Sequence, residues 1–334
     1  MSTTDASENA AGHRPTLIAG SGEHTYEVIH DWGELPSHIR YGNVHGVVED
    51  ADGLIYIHHT VHETSQSSDA TVVFDADGKF VRSWGSDFKG GAHGFHINLE
   101  GGTEFLYLCD IERNIVVKTT LEGEEVFRIG YPEESPGYQP GSDGEKPVYR
   151  PTNLAVSPNG DIYVGDGYGS SYVIQYDKGG NYIRTFGGPG SEPGQLDCPH
   201  GIICDTRGDE PVILVADRRN NRLQEFSLEG EHRRFYHGVD LPCHFHIRGM
   251  EMVIPDLAAR VTVLGRENNV ITHMGQGSDD YRARRLKSRE HFPPGEFVCP
   301  HGACFDHDGN IFVVEWVEIG RVTKLRLLNR EMPD

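Results

Sequence analysis

The chain has no run of the roughly 18 consecutive apolar residues that a membrane-spanning helix needs, so no membrane partner is expected. Its first residues, Met1 to Arg14, are polar and contain no apolar segment of the secretory type; residues 1–14 are expected to be a disordered tail. Basic residues are scarce: 30 Lys and Arg stand against 51 Asp and Glu, a net charge of −21. A nucleic-acid surface needs a basic stripe, and that composition argues against one; the charge itself keeps the protein in solution. Cysteine is sparse too. Six thiols (Cys109, Cys198, Cys204, Cys243, Cys299, Cys304) in 334 residues read as buried small hydrophobes in a reducing, cytoplasmic compartment. Long 3.6-residue periodicities are few, which excludes a helical bundle.

Glycine is abundant, with 41 residues, and it recurs in register. Six segments end in a bulky residue followed by glycine: Trp32-Gly33, Trp84-Gly85, Ile129-Gly130, Phe186-Gly187, His237-Gly238 and Met274-Gly275. Each closes an alternating apolar run, and turns such as Asp77-Gly78, Gly179-Gly180 and Glu229-Gly230 precede such runs, which is the pattern of strand, tight turn and strand. Inner strands are expected to begin near His45, His93, Thr152, His200, Cys243 and His301, at steps of 48, 59, 48, 43 and 58 residues. Four-stranded units at that spacing predict an all-β, six-bladed β-propeller over residues 15–330, one domain whose N-terminal strand closes the last blade. Residues 131–150 and 276–298 absorb the longer steps and read as loops.

Three of the inner strands start with Ala92-His93-Gly94, Pro199-His200-Gly201 and Pro300-His301-Gly302, in blades two, four and six. Alternate blades of a closed ring face one another across its axis, and three neutral imidazoles brought together are a transition-metal site. His45 stands at the same position of blade one and is an additional candidate ligand. Asp110, Asp166, Asp217 and Asp256 recur in successive second strands and read as a blade-to-blade hydrogen-bonding device. His58, His59 and His62, next to Glu63, form a cluster that reads as surface-loop histidines, and Tyr281 to Arg289 is a basic patch that reads as a solvated loop or as a lid gathering an anionic substrate. Pro242-Cys243-His244-Phe245-His246 offers three residues for the ring position of blade five.

From Gln139-Pro140-Gly141-Ser142-Asp143 through Pro151-Thr152-Asn153, Asp166-Gly167-Tyr168 and Pro199-His200 to Ala216-Asp217-Arg218, the order of motifs resembles the lyase domain of peptide-amidating enzymes, of the NHL-repeat class. The resemblance implies a zinc-dependent C–N lyase that frees glyoxylate from a terminal α-hydroxyglycine and leaves an amide. It places the zinc ligands on His93, His200 and His301, the catalytic tyrosine on Tyr168 and one active-site arginine on Arg218. A second such arginine falls on His59, which exchanges a permanent cation for a titratable one. Gly302 stands where the family's calcium carboxylate would be, so calcium is not expected, and Tyr149 and Gly169 replace its disulfide. The expected cofactor is Zn2+ or another divalent transition metal, and the expected partner a small, anionic molecule. Two other readings stay open on sequence: a metal-dependent lactonase or esterase of the propeller type, and a non-catalytic NHL-repeat binding platform.

Overall fold

A computed structural model describes residues 16–328. Residues 1–14, expected to be a disordered tail, lie outside them. Six antiparallel sheets follow one another along the chain. Blade one comprises Val44–Glu49, Ile55–His59, Thr71–Phe74 and Phe80–Trp84, and blade two Ala92–Glu100, Thr103–Asp110, Ile115–Thr119 and Glu125–Ile129. Blade three comprises Asn153–Val156, Ile162–Gly165, Tyr172–Tyr176 and Tyr182–Gly187, and blade four Pro199–Asp205, Val212–Asp217, Arg222–Phe226 and His232–Tyr236. Blade five begins with the short strand His246–Arg248, followed by Glu251–Asp256, Arg260–Leu264 and Val270–Met274. Blade six has Pro300–Phe305, Ile311–Glu315 and Arg321–Leu327, completed by His24–His30 and Ile18–Ser21 from the N-terminal end. Tyr26 pairs with Leu327 and His30 with Thr323, so the ring is closed by hydrogen bonds between the two ends of the chain. The protein is thus an all-β, six-bladed propeller, as the spacing predicts.

Among the described residues the apolar core is divided into seven clusters; six straddle two neighbouring blades, and the seventh gathers Phe292, Val298, Cys299 and Val317 beside the insertion before blade six. Val44, Val47, Ile57 and Phe74 of blade one, for example, pack on Cys304, Phe312, Val314 and Val322 of blade six. Middle strands are covered on both faces, so Ile55–His59 and Ile311–Glu315 are buried at every position. This sandwiching is the driving force of assembly, since apolar area buried contributes about 25 cal/mol per Å2.

The repeated bulky residue before glycine has a packing cause. Trp84 of blade one lies under the turn of Gly123 in blade two, where an added Cβ would stand 2.4 Å from the indole. Trp32 meets Gly78, Ile129 meets Gly180 and Phe186 meets Gly230 in the same way. Each outer strand thereby locks against the outer hairpin of the next blade. The insertion at 131–150 holds one turn of 3-10 helix, and that at 276–298 the single helical turn Tyr281–Arg284 and a 3-10 turn.

Candidate functional site

The His-Gly dipeptides sit where inner strands of neighbouring blades approach most closely. His93 donates from Nδ1 to the Thr152 carbonyl of blade three (2.7 Å), His200 to the Cys243 carbonyl at the entry to blade five (2.8 Å), and His301 to the His45 carbonyl of blade one (3.0 Å). In each case the glycine that follows makes that approach feasible. A Cβ on Gly94 would lie 2.5 Å from the Thr152 oxygen, one on Gly201 2.7 Å from the Cys243 oxygen, and one on Gly302 2.6 Å from the His45 oxygen. The glycine therefore admits the very carbonyl that holds the preceding imidazole. With Nδ1 committed as donor, the neutral ring presents an unprotonated Nε2 toward the axis, as ligand imidazoles held by an outer partner do.

Acidic residues at the ends of second strands fix the approach to these positions. Asp166 accepts from the Arg150 amide (2.6 Å), Asp217 from the Asp197 amide (2.7 Å), and Glu315 from the Val298 and Cys299 amides (2.6 and 3.2 Å). Asp110 presses on Gly91, where a Cβ would be 1.9 Å from its Oδ1. The expected blade-to-blade device is therefore a clamp within each blade, because the acid ends the strand paired with the inner one. Glu315 belongs to the set, although its extra methylene hides it from a search for recurring aspartates.

His93, His200 and His301 converge, with ring centroids 4.9, 5.0 and 4.7 Å apart. His45 joins them, 4.6 Å from His93 and 4.5 Å from His301. Two sets of ligand atoms lie within 4.8 Å of one another: His45, His93 and His301, and His200, Cys243 and His301. Of the six thiols, Cys243 is the one that joins the imidazoles, since blade five enters the ring through the Pro242–Asp256 bridge before its short inner strand begins.

Burial drives all four rings toward the neutral form: His93 is pushed down to about 3, and His45, His200 and His301 lie well below the ordinary histidine value. The Nε2 atoms of His93 and His200 both face the Tyr168 hydroxyl, at 3.2 and 3.1 Å, and Nε2 of His301 is buried with no partner. One O–H cannot satisfy three lone pairs, and a buried acceptor without a donor costs about 1–3 kcal/mol. Imidazole nitrogens of this kind suit a divalent transition metal, and His301 belongs to both sets of ligand atoms that lie close enough together to share one.

Arg218, buried at 8% exposure, starts a 3-10 turn at the end of the second strand of blade four. Its Nη1 donates to the Tyr168 hydroxyl (3.4 Å) and lies 3.9 Å from Cys243 Sγ, and no carboxylate is paired with it among the described residues. Burial raises the Tyr168 pKa and outweighs the lowering by Arg218, so the protein's own groups hold the phenol protonated rather than acidified.

Other candidates lie elsewhere. His59 is fully buried in the second strand of blade one, its Nδ1 accepting from the Val61 amide (3.0 Å) and its ring against Tyr41. It makes no hydrogen bond or ring contact with Tyr168, Arg218 or the axial imidazoles among the described residues. His58 points the opposite way, stacked on Phe95 and bonded to Thr71 (2.9 Å). These two are buried strand residues and not loop residues as expected, because blade one is covered by blades on both sides; His62 alone lies in the following loop. The basic patch is largely tied down: Arg289 pairs with Asp31 (2.8 Å), and Arg285 lies 3.4 Å over the Trp316 ring and bonds Asn43 (3.1 Å). A hollow of about 770 Å3 beside Tyr26, Arg248 and Glu251 contains none of the axial residues.

No family model matches the chain. It is 31% identical over 175 residues to peptidyl-glycine alpha-amidating monooxygenase A of Xenopus laevis, an alignment covering 49% of this chain and 17% of that protein. It is 29% identical over 200 residues to a probable peptidyl-alpha-hydroxyglycine alpha-amidating lyase of Caenorhabditis elegans, covering 57% and 52%. NHL repeat-containing protein 3 of Homo sapiens is 25% identical over 210 residues, covering 61% and 57%. The chain thus spans about a sixth of the length of the monooxygenase and about half that of the other two. Among solved structures, a gluconolactonase of Xanthomonas campestris superposes with a TM-score of 0.61 at 14% identity, covering 94% of this chain and 96% of the other, which shows a shared fold. This chain is a six-bladed β-propeller homologous to proteins named as peptide-amidating enzymes, peptidyl-α-hydroxyglycine α-amidating lyases and an NHL-repeat protein.

Proposed function

We propose that the chain is a metal-dependent lyase that cleaves the C–N bond of a small α-hydroxy amide or related carbinolamine and releases a carbonyl product such as glyoxylate. The observation that carries this reading is the convergence of His93, His200 and His301 at the axis, each held by a carbonyl of a neighbouring blade, with the Tyr168 hydroxyl between His93 and His200 and beside a buried arginine that has no carboxylate partner among the described residues. Zn2+ or a similar cation, held by those three imidazoles, supplies a Lewis acid toward an oxygen.

The chain's own groups would then do the following. Arg218 binds a substrate carboxylate through its fork of donors, which supplies the partner that its buried guanidinium lacks. That contact orients the carbinol carbon toward the imidazoles. Tyr168, 3.4 Å from Arg218 and protonated at the outset, delivers its O–H proton to the departing amide nitrogen as the C–N bond breaks, and takes the substrate hydroxyl proton in the same step as the C–O bond becomes a carbonyl. Atoms balance without water or an oxidant, since the proton lost by the substrate hydroxyl replaces the one given to the amide.

The test is metal content by elemental mass spectrometry together with glyoxylate release from α-hydroxyhippurate. The expected result is about one zinc or similar ion per chain and metal-dependent glyoxylate, both lost in His200→Ala. A chain that takes up no stoichiometric metal on reconstitution overturns the reading. We propose a reducing, cytoplasmic setting on the six thiols, none of which is in a disulfide.

A further inference from the structure

Four imidazoles meet at the axis, but only three are held by a carbonyl of the next blade. His45 is the exception. It is 5% exposed, its Nδ1 is buried without a partner, and no hydrogen bond of either ring nitrogen ties it to a neighbour among the described residues. Its backbone carbonyl, in contrast, is the acceptor that orients His301 (3.0 Å). The ring lies 4.6 and 4.5 Å from those of His93 and His301, and its ligand atom falls with theirs in one group within 4.8 Å.

Cys243 is the rival for a fourth position. Its thiol is directed at the Leu241 carbonyl (3.5 Å) and sits beside the Arg218 guanidinium (3.9 Å), so its hydrogen already has an acceptor and its neighbour is cationic. A cation beside a guanidinium is repelled, whereas His45 is a neutral donor with an unused nitrogen. The Arg285 guanidinium near His45 is anchored on Trp316 and Asn43 and so holds its distance.

We propose that His45 is a fourth protein ligand of the axial cation, so that no position is open in the resting protein and a substrate oxygen enters only when His45 leaves. The inference rests on the metal reading above. Four protein ligands are the mark of closed sites and three plus an exchangeable position that of catalytic ones. An imidazole that no carbonyl tethers is the one free to leave; His93, His200 and His301 would each have to break a hydrogen bond to a neighbouring blade.

The experiment uses the full chain loaded with Co2+, whose visible absorption reports ligand number, with azide as a probe for an open position. The expected result is that wild type binds one Co2+ per chain with a spectrum indifferent to azide. His45→Ala should still bind one Co2+, with affinity reduced by at least the roughly tenfold that loss of a mere orienting partner costs. Its spectrum should respond to azide, and added imidazole should restore the wild-type spectrum. A wild-type spectrum that responds to azide as strongly as that of His45→Ala overturns the proposal while leaving the three-histidine site intact, and that comparison starts from unaltered protein. If wild type binds no Co2+, this proposal and the metal reading fall together.

Discussion

Replacing Gly201 by alanine tests whether the glycine after each ligand histidine exists to admit the carbonyl that holds it. The new Cβ would stand 2.7 Å from the Cys243 oxygen and 2.9 Å from His244 Cα, against 3.4 Å for ordinary contact, so the two inner strands must part by roughly 0.7 Å. That displacement stretches the His200 Nδ1 bond from 2.8 Å beyond hydrogen-bonding range. Overpacking costs about 1–3 kcal/mol, and leaving the buried donor and acceptor unmet about 1–3 kcal/mol more. At about 2–4 °C per kcal/mol for a large domain, the thermal midpoint should fall by roughly 4 °C or more. An untethered His200 should also lose about 10- to 100-fold in metal affinity. Calorimetry and chelator competition read the two effects separately. Gly130→Ala is the control, because a Cβ there meets nothing within 4 Å and its change should stay within about 0.5 kcal/mol. If Gly201→Ala matched Gly130→Ala in both measurements, the tether would be irrelevant and the reasoning refuted.

Further outcomes follow from the same geometry. Tyr168→Phe should keep metal and fold but lower turnover by about 10²- to 10⁴-fold, since only the proton-carrying oxygen is removed; unchanged steady-state rates would remove Tyr168 from the reaction. Arg218→Lys should raise KM for a carboxylate-bearing substrate more than for its amide analogue, because a point charge replaces a fork, and equal effects on both would count against carboxylate recognition. His58 and His59 are pushed down to about 3 by burial, as are His246 to about 3 and His96 and His244 to about 4. Their folded values lie below the unfolded value of about 6.5, so stability is fully present above that pH and is lost as the pH falls from about 6.5 toward 4 and then 3. Each such ring adds a slope of about 1.4 kcal/mol per pH unit in that window; chemical denaturation of metal-depleted protein at pH 7 and pH 5 checks it, and equal midpoints would contradict the burial.

Much of the architecture is legible in the chain because the determinants are local. A turn dipeptide, a run of alternating apolar residues and a bulky residue before glycine recur at blade spacing, and each acts within a hairpin or on the next one. Even so, the reason for the bulky residue emerges only when Trp84 is seen under Gly123 of the next blade. Blade five is the least legible in the chain because its inner strand spans three residues and its ring position is held by an isolated bridge at Pro242.

The site divides along the same line. The positions of His93, His200 and His301, of Tyr168 and of Arg218 are set by their order along the chain, since a regular ring brings alternate blades face to face. Which side chain turns inward is decided by neighbours distant in sequence. His58 and His59 are adjacent, yet one stacks on Phe95 and the other meets Tyr41 edge to face, because successive residues of a strand take opposite faces. That Thr152, Cys243 and His45 lend their carbonyls, that Glu315 clamps the entry to His301, and that His45 is left without a tether depend on contacts between residues up to 256 apart. Sequence by itself determined the ring and the residues available to its axis; only the closed tertiary structure decided which nitrogen each imidazole presents there, because hydrogen bonds across blades select the tautomer.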